Sequence, residues 1–149
     1  MKPLGDEPNG ESLKKARDSI EYLEDQVAQG KKQGVEFSEV EGLIQGAKLM
    51  LESNALNDAE ELIGQAMEMA SQRFTEFKLL ETNIKKLEMQ IEENPLADAS
   101  GEAEQNLKMA KYHMKTGYYK LGNDHAKRGL KRFTEKPEVE IEWGSGLES

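Results

Sequence analysis

A seven-residue repeat of apolar side chains runs through the middle of this 149-residue chain and strongly constrains its fold. One series consists of Ile63, Ala70, Phe77, Ile84 and Ile91. A second series lies between its members and consists of Ala59, Ala66, Arg73, Leu80 and Leu87. Two interleaved series of this spacing lie on one side of an α-helix. The pattern therefore predicts one coiled-coil-like helix from about Asp58 to Asn94, which Pro95 ends.

Shorter apolar patterns of helical spacing flank this long helix on both sides. They predict two helices before it, at about 11–30 and 38–52, and two after it, at about 103–116 and 123–136. Glycine favours the conformation that closes a helix, and Gly34 and Gly117 stand at two of the predicted ends. Ser38 and Glu41 have the spacing of a capping box. The predicted fold class is all-α.

The chain also contains an internal repeat. Residues 20–27 align with residues 84–91, and the same offset of 64 aligns Leu43 with Leu107 and Met50 with Met114. This predicts a flexible leader at 1–10, one three-helix repeat at 11–75, a second at 76–136 and an acidic tail or linker at 137–149. The predicted architecture is an elongated pair of three-helix bundles that share the long continuous helix.

The sharing of one helix by two bundles resembles spectrin-type tandem three-helix repeats in architecture. In its sequence, the chain resembles archaeal helical-repeat proteins at Gly34–Lys48 and at Asn54–Leu62, where an alanine-containing helix follows a short turn. This resemblance implies a non-catalytic helical segment of a larger protein.

The residue types present exclude several kinds of chemistry. The chain has no cysteine, which excludes disulfides, thiolate nucleophiles, iron–sulfur clusters and cysteine-based zinc sites. Its two histidines, His113 and His125, do not have the spacing of a helical metal site, and we interpret them as facing solvent. No catalytic motif is present. We therefore expect no enzymatic activity, no metal and no cofactor.

Charge is distributed unevenly along the chain. The net charge is −9, but residues 105–136 contain 9 basic and 2 acidic side chains. The candidate partner- or anion-binding residues in this segment are Lys108, Lys111, Lys115, Lys127, Arg128, Lys131, Arg132, Tyr112, Tyr118 and Tyr119. They could dock an acidic protein or the acidic half of a second copy, bind nucleic acid or anionic lipid, fold against the acidic tail, or simply be solvated.

Three further features have alternative interpretations. Gly42 and Gly46 are spaced for close helix packing, either inside the bundle or in a dimer. Arg73 interrupts the apolar seam and either marks the junction between the two bundles or selects a register or partner, with Glu76 or Glu81 as pairing candidates. The internal methionines either fill the core, which we favour, or line an adaptable groove.

The last residues alternate between apolar and acidic from Pro137 to Trp143, a pattern typical of a β-strand. The chain has no signal peptide and no apolar run long enough to cross a membrane, so we expect a cytoplasmic protein. The predicted function is a non-enzymatic helical scaffold or protein–protein interaction module, part of a larger protein, that docks partners by helical faces of opposite charge. The alternative is nucleic-acid or anionic-lipid binding through the basic segment 105–136.

Overall fold

The structure, a computed structural model, describes residues 3–95 and 100–148, with side chains described for 10–95 and 100–134. These residues form five α-helices and no β-strand, which confirms the all-α class. In chain order the helices are α1 (Pro3–Gln33), α2 (Ser38–Glu52), α3 (Leu56–Glu93), α4 (Ser100–Thr116) and α5 (Tyr119–Glu148).

The long central helix is present, and its apolar seam is buried. Every residue of the two seven-residue series is buried except Arg73 and Ile91. Leu80 and Leu87 are both completely buried. Two of the connections also form at the predicted glycines, since Gly34 follows α1 with a φ of 105° and Gly117 follows α4 with a φ of 89°. Glycine adopts these values without the steric cost that a side chain imposes.

The chain divides into two compact units, Met1–Thr75 and Glu76–Ser149, and the division falls inside α3. The first unit contains α1, α2 and residues 56–75 of α3. The second contains residues 76–93 of α3 together with α4 and α5. The sequence places its repeat boundary at this same position, whereas the tandem three-helix arrangement itself stays a prediction.

The two ends of the helical region differ from expectation. Residues 3–10, predicted as a leader, belong to α1. A proline at the first position of a helix, such as Pro3, costs no hydrogen bond because its missing N–H has no intrahelical acceptor. The predicted strand from Pro137 to Trp143 is also wrong, since α5 continues to Glu148. A lone strand needs a neighbour for its backbone groups, whereas a helix satisfies them internally.

The start of α2 departs from the predicted capping box. Phe37 occupies the N-cap position and makes no side-chain cap bond. The Ser38 backbone N–H donates to Glu36 Oε2 at 2.9 Å, and the Ser38 hydroxyl donates to the same oxygen. Glu41 pairs instead with Lys31 of α1 at 2.9 Å. Side chains near the start of α2 therefore order the α1–α2 loop and join the two helices.

Candidate functional site

A tight connection places α4 and α5 side by side in the second unit. The Tyr118 N–H donates to the His113 carbonyl at 2.8 Å across Gly117. Near the start of α5, a side chain at Gly122 would lie 3.1 Å from the Ala110 carbonyl oxygen and 3.2 Å from His113 Cβ. The predicted basic segment is therefore a closely packed helical hairpin.

Part of the positive charge of this hairpin is paired within the unit. Two ion pairs join it to acidic side chains on α3, and a third joins α5 to α4 within the hairpin. They are Lys111–Glu88 (2.7 Å), Lys120–Glu76 (3.7 Å) and Arg132–Glu102. Lys111 and Arg132, two of the candidate binding residues, thus have acidic partners inside the protein.

Four of the other candidate cations have a different environment, and we call these four residues the unpaired cations. They are Lys108, Lys115, Lys127 and Arg128. All four are exposed, and none has an ion pair with any residue whose side chain the structure describes. Exposed charges without an internal partner are free to meet an external one. Lys131 is also exposed and has an interaction of its own.

The candidate cations do not form one continuous patch. Asn106 and His113 are two α4 side chains that contact α5. Successive helical residues are about 100° apart, which places Lys108 and Lys115 on the side of α4 that faces away from α5. The same geometry places Lys127 on the side of α5 that faces away from α4. The structure therefore separates the basic residues into two edges of the hairpin.

The three candidate tyrosines have different environments. Tyr112 and Tyr118 are 59% and 62% exposed, so both rings are available to a partner. Tyr119 is only 1% exposed, and its ring packs edge-on against Phe77 of α3 with centroids 5.4 Å apart. The interpretation of Tyr119 as a surface residue is therefore wrong, because the start of α5 turns it towards α3.

The two histidines contact each other between α4 and α5, so the expectation that they face solvent is wrong. The rings of His113 and His125 stack with centroids 5.4 Å apart and planes 16° from parallel. His125 Nδ1 lies 3.2 Å from Asn106 Oδ1, while His113 Nδ1 is buried without a hydrogen-bond partner. Tyr112 and Tyr118 place their rings edge-on to His113. Sequence spacing within one helix could not reveal this cluster, because it depends on how two helices face each other.

Burial lowers the pKa of His125 from its usual 6.5, and the charges of Arg128 and His113 lower it further, against an opposing effect of Asp124. Neutral His125 therefore contributes stability above pH 6.5, and this contribution is lost as the pH falls through the lower folded-state pKa. We expect acidification from neutral pH to destabilise the wild type relative to His125→Gln. Urea unfolding of both proteins at several pH values measures this difference, and a difference that does not change with pH contradicts the assignment.

Arg73 and the two glycines Gly42 and Gly46 all lie in the first unit. Arg73 Nε donates to the Glu36 carbonyl at 3.1 Å, and its guanidinium pairs with the Glu36 carboxylate at 2.9 Å. Hydrogen bonds from Ser38 lower the pKa of Glu36 against an opposing effect of burial, and Arg73 lowers it further. A side chain at Gly46 would lie 3.2 Å from Leu62 of α3, whereas one at Gly42 would meet open space. Gly46 therefore lies at a close approach of α2 and α3, whereas Gly42 has no such neighbour among the described residues.

A buried amide pair in the second unit was not predicted. Asn83 of α3 is 8% exposed, and its side-chain N–H donates to Asn123 Oδ1 of α5 at 2.6 Å. The sequence contains one signal for it, since Asn83 lies three residues after Leu80 and four before Leu87 on the buried side of α3. The identity of its partner requires the packing of α5.

Several kinds of site are not seen in the described part of the chain. It contains no group of three or more histidine, aspartate or glutamate side chains placed to hold a metal ion. Within the same residues, no helix has the length and apolar character needed to cross a membrane. No protein-family model, no curated protein and no solved structure matches the chain.

Proposed function

We propose that the protein is a non-enzymatic helical interaction module that docks an acidic protein surface on the α4–α5 hairpin. The observation that carries this proposal is the exposure of the unpaired cations in a protein of net charge −9. Charged residues with internal partners hold the hairpin in place, so the unpaired cations need no rearrangement before they meet a partner. Acidic side chains outnumber basic ones in residues 1–75, and the first unit would supply the face of opposite charge.

Exposed tyrosines support a protein partner. Tyr112 and Tyr118 add large amphipathic rings to the hairpin surface. Tyrosine and arginine are enriched among the residues that contribute most to protein–protein binding, because they bury large areas and also form hydrogen bonds. Arg128 supplies such a guanidinium on α5. Exposed cations and exposed aromatic rings on the same hairpin favour an acidic partner that also offers apolar contacts.

Binding of a fluorescent polyglutamate peptide of about 20 residues tests this proposal. We expect fluorescence anisotropy to show binding at about 50 mM salt and weaker binding at about 200 mM, because salt screens exposed charges. Replacing all four unpaired cations by glutamine should weaken binding by at least about tenfold, the equivalent of about 1.4 kcal/mol.

A control variant of the same net charge sharpens this test. It replaces four other exposed cations by glutamine, namely Lys15, Arg17, Lys85 and Lys86. We expect this control to retain affinity within about threefold. Exposed charges outside the docking surface contribute mainly to the rate of association. Equal losses in both variants would show that the peptide senses only the net charge and would contradict docking on the hairpin.

The second candidate function is nucleic-acid or anionic-lipid binding by the same residues. The exposed rings of Tyr112 and Tyr118 favour it, because bases stack on aromatic side chains next to basic groups. A single-stranded oligonucleotide and vesicles containing phosphatidylserine are the probes. Tighter binding of either probe than of polyglutamate would favour this function, and no binding at about 50 mM salt would exclude it.

A further inference from the structure

The side chain of Asn106 determines which ring nitrogen of His125 carries a hydrogen. The Asn106 side-chain N–H donates to the Glu102 carbonyl at 3.1 Å, which leaves its amide oxygen for His125. That oxygen lies 3.2 Å from His125 Nδ1. Because an amide oxygen only accepts hydrogen bonds, Nδ1 is the N–H of the neutral ring. The lone pair of neutral His125 is therefore on Nε2, and Nε2 is the atom that takes up a proton.

The two stacked histidines are not equally prepared for a positive charge. A protonated imidazole has two N–H groups, and a buried N–H without an acceptor costs free energy. His113 Nδ1 is buried and has no hydrogen-bond partner among the described residues. His125 already has the Asn106 oxygen as an acceptor for its Nδ1–H. Of the two rings, His125 is therefore the one with a hydrogen bond in place for its charged form.

The groups that act on the charge of His125 lie on both helices of the hairpin. Burial lowers the pKa of His125, and Arg128 of α5 and His113 of α4 lower it further, while Asp124 of α5 opposes them. Arg128 is exposed and is one of the unpaired cations. It lies three residues after His125, and residues of this spacing are neighbours on a helix surface. His125 is therefore mostly neutral at neutral pH, next to a cation that is open to a partner.

The histidine pair is also close to the exposed aromatic rings. Tyr112 and Tyr118 place their rings edge-on to His113, with centroids 5.5 Å and 6.3 Å from its own. Both tyrosines are more than half exposed, and His125 itself is partly exposed. A partner that contacts these rings and pairs with Arg128 therefore brings its carboxylates close to His125.

We propose that His125 is a proton-dependent cation beside Arg128, so that an acidic partner binds the hairpin with uptake of a proton at Nε2. This inference rests on the proposed docking of an acidic protein surface. A carboxylate that pairs with Arg128 offsets the positive charge that opposes protonation, and it attracts the imidazolium that forms. The proton comes from the solvent, and Nε2–H then donates to the partner. Since binding and protonation favour each other, the partner binds more tightly as the pH falls.

The affinity for the polyglutamate peptide at two pH values tests this inference. Between about pH 8 and about pH 6, the affinity of the wild type should rise by at least about threefold relative to that of His125→Gln. The glutamates of the peptide titrate equally against both proteins, so their effect cancels in this comparison. Calorimetry at about pH 7 in two buffers of different ionisation enthalpy counts the protons taken up on binding. We expect uptake by the wild type and almost none by His125→Gln.

His113→Gln is the matched control, because it removes the other ring of the pair and leaves Asn106 and His125 Nε2 in place. It should retain proton uptake, and circular dichroism at both pH values checks that the variants remain helical. Equal pH dependence in the wild type and His125→Gln overturns this inference while the docking stands. Uptake that is lost in His113→Gln but kept in His125→Gln also overturns it. Absence of binding at both pH values overturns the docking, and this inference with it.

Discussion

Replacing Phe37 by alanine is expected to lower the free energy of unfolding by about 3–5 kcal/mol. Phe37 is 4% exposed, and its ring lies against the backbone of Gly30 near the end of α1. The Val35 N–H donates to the Gly30 carbonyl at 3.0 Å, so the chain reverses direction around this ring. Alanine removes the ring and leaves a cavity that the rigid turn cannot close. Urea unfolding followed by circular dichroism measures the loss.

Leu49→Ala is the control for this substitution, because it removes a large apolar side chain that is 60% exposed on α2. Its effect on the free energy of unfolding should be within about 0.5 kcal/mol. If Phe37→Ala were no more harmful than Leu49→Ala, Phe37 would not belong to the core of the first unit, and the position of the α1–α2 loop would be wrong.

Replacing Gly122 by valine is expected to lower the free energy of unfolding by about 1–3 kcal/mol through overpacking of the second unit. The first added carbon would lie 2.8 Å from Leu80 Cδ2, and Leu80 is completely buried. It would also lie 3.1 Å from the Ala110 carbonyl oxygen, which belongs to the backbone of α4 and cannot rotate away. Relief requires α5 to move from α3 and α4 together.

Gly64→Ala is expected to change the free energy of unfolding in the opposite direction. Gly64 is exposed inside α3, and an added side-chain carbon there meets no atom within 4 Å. Alanine should therefore raise the free energy of unfolding by about 0.5–1 kcal/mol, because glycine is a poor helix former. A gain in stability from Gly122→Val would show that α4 and α5 do not approach as closely as the structure places them.

The periodicity of the sequence predicts α3 well, because the burial of one side of a helix depends only on spacing along the chain. The bounds of about Asp58 to Asn94 agree within two residues with Leu56–Glu93. Gly34 and Gly117 could likewise be assigned, since their positive φ angles are a local backbone property. Local signals fail at Pro137, where alternation of apolar and acidic residues gives no information about a pairing partner for a strand.

The candidate site depends on information that spacing within one helix does not contain. Lys111 and Lys115 are equivalent in the sequence pattern, yet Lys111 pairs with Glu88 of α3 and Lys115 has no ion pair with the described residues. Tyr118 and Tyr119 are adjacent, yet one is exposed and the other is buried against Phe77. The rotation of each helix about its own axis decides these differences, and only the packing of α3, α4 and α5 defines that rotation.

The central claim is that the cations of the α4–α5 hairpin have two separate roles, one in holding the helices and one in docking an acidic partner. The most direct measurement compares two glutamine variants for both polyglutamate affinity and free energy of unfolding. One replaces the unpaired cations, and the other replaces Lys111, Lys120 and Arg132, which pair with Glu88, Glu76 and Glu102. We predict that the first variant loses affinity without losing stability, and that the second loses stability while it retains most of its affinity. Equal losses of affinity and of stability in the two variants would contradict this account.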